Sequence, residues 1–224
     1  MQEGMLVKSL GCEAVLFDLD GVLVDSTRAV VRIWSEWAKR QGIQAERILE
    51  VAHGRRTIET VHLVAPHLDA EEETRELERV EIGDLDGVLE VEGALELISS
   101  IPNDGWTVVT SGPRALATRR LEHAMLPRPV RFVAAEDVKE GKPHPEAYLK
   151  GAEILGVSPE DCVVIEDAPS GIRAGKSAGM TVVAVATTHD EDDLSEADAI
   201  VASLTDIRVV TGTGGSRFEV RVRD

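Results

Sequence analysis

Short apolar runs alternate with longer stretches of helical period along most of this chain. Ala14 to Phe17, Thr107 to Val109, Val130 to Ala134, Cys162 to Ile165, Thr181 to Val185 and Ala199 to Val201 are nearly continuous in apolar residues. Runs this short, apolar at successive positions, predict strands covered on both faces. Between them Pro113–His123, Glu146–Leu155 and Ser170–Ala178 carry apolar residues at helical spacing. The first begins on proline, which is tolerated at the start of a helix. Strands separated by helices in this way predict an α/β class: a doubly wound, mostly parallel, Rossmann-like sheet. Right-handed crossovers then bring every strand's C-terminal end to one edge, where sites collect.

The alternation stops between Ser26 and Glu92. Here the period is helical throughout, and Val30, Ile33, Trp34, Trp37 and Ala38 form one apolar stripe. The two tryptophans read as helix–helix packing before they read as ligand contacts. The pattern therefore divides the chain into an α/β core, residues 1–25 and 93–224, and a small inserted helical cap domain, residues 26–92. Near the end, Thr211-Gly-Thr-Gly-Gly-Ser216 precedes an alternation through Phe218, Val220 and Val222. That tail predicts a hairpin at the sheet edge. No helix follows the glycines, so they are a poor phosphate loop.

The chemistry begins at FDLDGVLVDS, Phe17 to Ser26. The first core strand runs into Asp18 and Asp20, which share a side of an extended chain about 6–7 Å apart. A phosphorus atom and its leaving oxygen fit between carboxylates so placed, and Gly21 lets the backbone turn beyond them. The chain supplies its own control, because Asp84-Leu-Asp-Gly-Val-Leu89 repeats Asp18-Leu-Asp-Gly-Val-Leu23 letter for letter. The copy follows no buried run, and it reads as a linker turn. Three further elements close other strands. Thr110-Ser111-Gly112 offers a hydroxyl and backbone N–H groups at a helix start, which suits an anion. Gly141-Lys142-Pro143 opens a helix with one cation. Glu166-Asp167 ends the run Val163 to Ile165. Read singly, each has an ordinary alternative as an N-cap, a surface lysine or a capping acid.

Together, Asp18 with Asp20, Thr110, Lys142 and Glu166-Asp167 resemble the four motifs of the haloacid dehalogenase superfamily, across roughly Ala14 to Thr188. Within it, HGRRT (His53–Thr57), VVTSGPR (Val108–Arg114), GKPHPEAYLKG (Gly141–Gly151) and IEDAPSGIRAGKSAG (Ile165–Gly179) are similar to phosphatases of small sugar and polyol phosphates, those of glycerol phosphate and 2-deoxyglucose 6-phosphate in particular. The resemblance implies that Asp18 is a nucleophile forming an aspartyl-phosphate and Asp20 the acid and then the base. It implies that Thr110, Ser111, Gly112 and Lys142 hold the phosphoryl oxygens. Mg²⁺ would be bound by Asp18, the Asp20 backbone carbonyl and Asp167, with Glu166 a ligand through water or an orienting group. His53, Gly54, Arg55, Arg56 and Thr57 fall where such proteins read their substrate.

Other chemistries of the superfamily fit less well. Its dehalogenases and phosphonatases lack the second aspartate that is present here as Asp20. β-Phosphoglucomutase carries a cap histidine ten residues beyond that aspartate, where this chain has Val30. Hydrolysis is therefore expected over transfer to sugar. A phosphoacceptor signalling module also gathers aspartates, a hydroxyl and a lysine, but the long insert argues against it.

Composition narrows the partners. The chain of 224 residues has 24 Lys and Arg against 41 Asp and Glu, a net charge of −17, with 43% hydrophobic residues. Such a surface repels nucleic acid and anionic membranes, while the apolar content argues against disorder. Two cysteines, Cys12 and Cys162, make no disulfide framework, and a reducing cytoplasm is expected. The start carries no signal-peptide pattern. A monomer or weak homodimer is expected. The acidity is uneven. Residues 26–68 hold seven basic and four acidic residues, a net of +3, whereas 69–92 hold two and eleven, a net of −9. The first half of the insert is thus expected to face a small anion and the second half to face solvent.

Overall fold

The computed structural model describes residues 7–52, 54–213 and 215–223. Strand β1 (Val7–Cys12) is followed by β2 (Ala14–Phe17) and a two-residue strand β3 (Val24–Asp25). Helices α1 (Thr27–Gln41), α2 (Ala45–Ala52), α3 (Thr57–Val64) and α4 (Ala70–Gly83) come next, closed by β4 (Leu89–Glu90). The remainder runs α5 (Ala94–Ser99), β5 (Trp106–Val108), α6 (Arg114–His123), α7 (Glu146–Leu155), β6 (Cys162–Glu166) and α8 (Pro169–Ser177). It ends in β7 (Thr181–Val185), β8 (Ala199–Val201), β9 (Ile207–Thr211) and β10 (Phe218–Arg223).

The central sheet is parallel, in the order β5-β2-β6-β7-β8. Its strands are largely apolar because both faces are covered. In β2, Val15 and Phe17 join one buried cluster with Trp106, Val163 and Ile165, while Ala14 and Leu16 join another with Tyr148, Val164 and Ile172. Helix α7 lies directly on the sheet. A Cβ at Gly151 would come within 2.6 Å of Leu16 and 2.8 Å of Val109, so only glycine permits that approach.

Val130–Ala134, expected as a strand, is not one. Only Val133 makes an isolated bridge, to Val109, and Val130 is 95% exposed. Pro127 and Pro129 precede it and lack the N–H that a ladder needs. The tail does form a hairpin, but away from the edge of the central sheet. β10 pairs antiparallel with both β9 and β1, giving a separate three-stranded sheet in the order β1-β10-β9. Phe218, Val220 and Val222 point from it into the same cluster as Phe17. The turn between the two strands includes Gly214, which lies outside the described residues.

Between β3 and β4 the chain is helical. Ile33, Trp34, Trp37, Ile48, Val61 and Leu77 form an apolar cluster of their own. The Trp34 and Trp37 rings meet edge to face at 5.5 Å, and Trp37 Nε1 donates to Glu73 Oε2 at 2.7 Å. Both ends of this segment cross side by side, because Val24 pairs with Glu90 and Asp25 with Leu89. The second Asp-Leu-Asp-Gly is a turn between α4 and β4, with Gly87 at φ +83° beside Gly21's +87°. Arg32 holds that copy through Asp84 Oδ2 and the Asp86 carbonyl. The same letters give a left-handed glycine in both turns, and only the one following a buried strand reaches the sheet edge.

Candidate active site

Strand β2 delivers Asp18 and Asp20 to the C-terminal edge, with Leu19 between them buried in the core. The Asp18 N–H donates to the Ile165 carbonyl at 3.0 Å, tying this loop to β6. Gly21 is required twice over. Its φ of +87° disfavours a side chain, and a Cβ there would fall 2.0 Å from Asp167 Oδ2. The Asp18 turn and the Asp167 loop are thus packed against each other at the one residue without a side chain.

Lys142 is 1% exposed and fully paired. Its ammonium donates to Asp18 Oδ1, to Glu166 Oε1 at 2.7 Å and to the Val109 carbonyl at 3.1 Å. Three donors meet three acceptors. Burial alone would lower its pKa, but the carboxylates of Asp18 and Glu166 outweigh that and raise it, so it stays charged. Glu166 is fully engaged as well. Oε1 accepts from Lys142 and from the Tyr148 hydroxyl at 2.8 Å, and Oε2 from the N–H groups of Asp167 and Ala168 at 2.9 and 3.0 Å. Burial, then the charge of Glu166, raises the pKa of Tyr148 well above its ordinary value and keeps it a donor. Each oxygen of Glu166 is thus held by two protein donors. A Cβ on Gly171 would clash with its carboxylate at 1.6 Å.

Two buried carboxyls, Asp18 and Glu166, therefore share one ammonium, and Asp167 is buried next in the chain. Burial pushes Asp18 up to about 7, against the pull of Lys142 and with the repulsion of Glu166 and Asp20 added. Burial, then Glu166 and Asp18, raises Asp167 well above the carboxylate range, although Thr188 hydrogen-bonds its Oδ2. Among the described residues no three acidic, histidine or cysteine side chains already surround a common cation position. The donor set nonetheless suits a hard divalent cation. Asp18 and Asp167 are crowded oxygen ligands whose charge a cation would relieve.

A partly open cavity of about 80 Å³ lies in front of Asp18. Asp18, Asp20, Thr110, Ser111 and Gly112 line its core side, and Val30, Trp34, Gly54, Arg55 and Thr57 its helical side. Thr110 Oγ1 accepts from the Gly112 N–H at 3.0 Å, which leaves its own proton to donate. That bond also corrects the expectation of a free Gly112 N–H. Ser111 Oγ donates to the Gly54 carbonyl at 2.9 Å, across to the inserted helices.

Arg56 does not line the cavity. It is bound to Glu59 and donates to the Lys139 carbonyl at 3.2 Å, so of the two expected arginines only Arg55 faces the cavity. His53 lies outside the described residues. Ser26 does not cap α1 through its side chain; its hydroxyl donates to Asp20 Oδ1 at 2.7 Å.

Sequence reasoning missed Arg120 and Glu81. Arg120 reaches Asp20 Oδ1 at 2.7 Å and Glu81 Oε1 at 3.6 Å, and both residues line the cavity. Glu81 is pushed up to about 7, by burial first and then by Asp20 and Glu78, against the pull of Arg120. Its burial corrects the expectation that the acidic half of the insert is all solvated surface. A helical period locating Glu81 beside buried Leu77 was the available signal, overridden by the surrounding acids.

Residues 12–179 match the haloacid dehalogenase-like hydrolase family. The chain is 43% identical to hexitol phosphatase A of Escherichia coli, over 91% of this chain and 97% of that one. It is 41% identical to glycerol-1-phosphate phosphohydrolase 2 of Saccharomyces cerevisiae, over 90% and 86%. To 2-deoxyglucose-6-phosphate phosphatase 1 of the same yeast it is 32% identical, over 87% and 89%. The solved structure of β-phosphoglucomutase from Clostridium difficile superposes with a TM-score of 0.74 at 25% identity, covering 86% of this chain and 91% of that one.

Proposed function

The chain belongs to the haloacid dehalogenase-like hydrolase family, and from that premise we propose that it is a Mg²⁺-dependent phosphatase of small sugar or polyol phosphate monoesters. The observation that carries this reading is the Lys142 ammonium held between Asp18 and Glu166, with Asp20 opening on the same cavity. The relatives named for hexitol, glycerol and deoxyglucose phosphates point to the substrate class.

Asp18 attacks phosphorus in line with the ester oxygen, forming an aspartyl-phosphate as the ester bond breaks. Asp20 gives its proton to the departing alkoxide, then takes one from the water that attacks the intermediate. Thr110 donates to the transferring oxygens and the Lys142 charge, held behind Asp18, offsets theirs, with Ser111 and Gly112 at the mouth of α6. Such a loose transition state depends chiefly on charge neutralisation and position. Asp18, Asp167 and the Asp20 carbonyl would hold Mg²⁺, which when bound supplies positive charge to the phosphoryl oxygens.

We read residues 26–92 as a cap over the core, hinged near Val24–Ser26 and Glu90–Gly93. The β3–β4 pairing supports this by setting the two crossings side by side. Closure would exclude water, and the cavity volume favours small esters over polymers. The same reading has the enzyme work in the cytoplasm, alone or as a weak homodimer. Its two cysteines are free and buried, and no described helix is long and apolar enough to cross a membrane.

Transfer to sugar is the weaker reading because Val30, an apolar residue, forms the cavity wall near Asp20. The test is a panel of esters with Mg²⁺: glycerol, hexitol and 2-deoxyglucose phosphates and β-glucose 1-phosphate. Continuous phosphate release is expected, and conversion of β-glucose 1-phosphate to glucose 6-phosphate would instead establish the mutase. Arg55→Glu is expected to raise KM for the preferred ester about tenfold or more while Arg56→Glu leaves it near wild type. Steady-state kinetics of the two variants check this, and equal effects would remove Arg55 from the binding surface.

A further inference from the structure

Arg120 is an unusual residue to find 4% exposed in a core helix. Buried charges are kept only where they are paired, and both of its partners are in the cavity wall. One guanidinium nitrogen donates to Asp20 Oδ1 at 2.7 Å, and the other lies 3.6 Å from Glu81 Oε1. Its Nε is buried with no partner, so the pose is set by its two ends. Glu81 belongs to α4 in the inserted segment, while Arg120 belongs to α6 in the core. The pair therefore spans the junction that the proposed cap would open and close.

The contacts on Asp20 are asymmetric. Oδ1 accepts from both Arg120 and Ser26, each at 2.7 Å. With both donors on one oxygen, the proton of the acid form belongs on Oδ2.

We infer that Arg120 is the positioning residue that aims the Asp20 carboxyl, and that Glu81 tethers Arg120 from the inserted helices. The inference rests on the phosphatase reading, in which Asp20 protonates the leaving group. The proton on Oδ2 passes to the ester oxygen as its bond to phosphorus breaks. The resulting carboxylate keeps its hydrogen bonds from Arg120 and Ser26, so its new charge is met by donors already in place. Without Arg120, the carboxyl turns about the single bond from Ser26 and its proton leaves the line of transfer.

The dependence on leaving group tests this. An alkoxide needs the proton, whereas p-nitrophenolate leaves without it. With Mg²⁺ present, Arg120→Gln is expected to lower kcat on glycerol 1-phosphate about 100-fold, with KM within about threefold of wild type. On p-nitrophenyl phosphate the first-turnover release of p-nitrophenol, which needs no acid and precedes the base step, should slow less than about fivefold. Glu81→Gln, which leaves Arg120 in place, should show the same selectivity with about a tenfold loss on the alkyl ester. Equal losses in glycerol 1-phosphate turnover and in first-turnover p-nitrophenol release, or a change in KM alone, overturn the inference. If Arg120→Gln fails to fold, Glu81→Gln decides it: selective loss supports the inference, and uniform or absent loss overturns it. Wild-type protein that turns over neither ester refutes the phosphatase reading itself, and the inference falls with it.

Discussion

Asp18→Asn is expected to abolish phosphate release, by at least about 10⁴-fold in kcat, and yet to stabilise the metal-free protein at pH 8. The amide cannot attack phosphorus, but its oxygen still accepts from Lys142, so the local geometry survives. The stability gain follows from linkage. Burial pushes the Asp18 carboxyl up to about 7 in the folded state, whereas an unfolded aspartate titrates near about 3.9. A folded-state pKa above the unfolded one means full stability below about pH 4, lost progressively as pH rises through about 7. Ionised Asp18 thus costs the fold on the order of 2–4 kcal/mol at pH 8, and Asn removes that cost. Melting curves in chelator at pH 8 and pH 5 check this. The variant should lead clearly at pH 8, by less at pH 5, and retained activity would remove Asp18 from its role as nucleophile.

Lys142→Met should have the opposite effect on the fold. Methionine matches the length of the lysine stem but leaves Asp18 and Glu166 buried without their shared cation, and the Val109 carbonyl without a donor. Removing one member of a buried ionic cluster typically costs about 3–5 kcal/mol. Loss of the ammonium raises Asp18 further, so the deficit is largest at pH 8 and shrinks near pH 5, where it takes up a proton. Denaturant unfolding at the two pH values measures the difference. A variant as stable as wild type at pH 8 would contradict the pairing. Phosphate release should be lost at both pH values, because the same charge holds Asp18 and offsets the charge of the transferring oxygens.

How much of this could be read in advance depended on the range of the interactions. β2, β6, β7 and β8 were legible because strands covered on both faces must be apolar at successive positions. Asp18, Thr110, Lys142 and Glu166-Asp167 were legible because each directly follows or opens an element, and the sheet topology then gathers them. Val130–Ala134 shared the composition of those strands without the neighbours that make one. β1 was missed because its six residues mix Lys8, Ser9 and Gly11 with apolar ones, and it gains its partner only from the far end of the chain. Arg120 and Glu81 lie 39 positions apart on separate helices; nothing local marks Arg120 as buried, and the helical period that sets Glu81 beside Leu77 is masked by the surrounding acids. Arg55 and Arg56 are adjacent and identical in type, so only the packing of α3 against the Lys139 loop distinguishes them. The four hydrogen bonds that hold Glu166 likewise come from partners that no spacing encodes.

The covalent step is the central claim, and it can be caught directly. Asp20→Asn lacks the base that activates water, so with p-nitrophenyl phosphate, which needs no acid to leave, the intermediate should accumulate. Acid quench followed by peptide mass spectrometry is expected to find one phosphoryl group on the peptide spanning Ala14–Asp25, at Asp18. A burst of p-nitrophenol with no phosphoryl group on the protein, or with the group on another residue, would contradict the account.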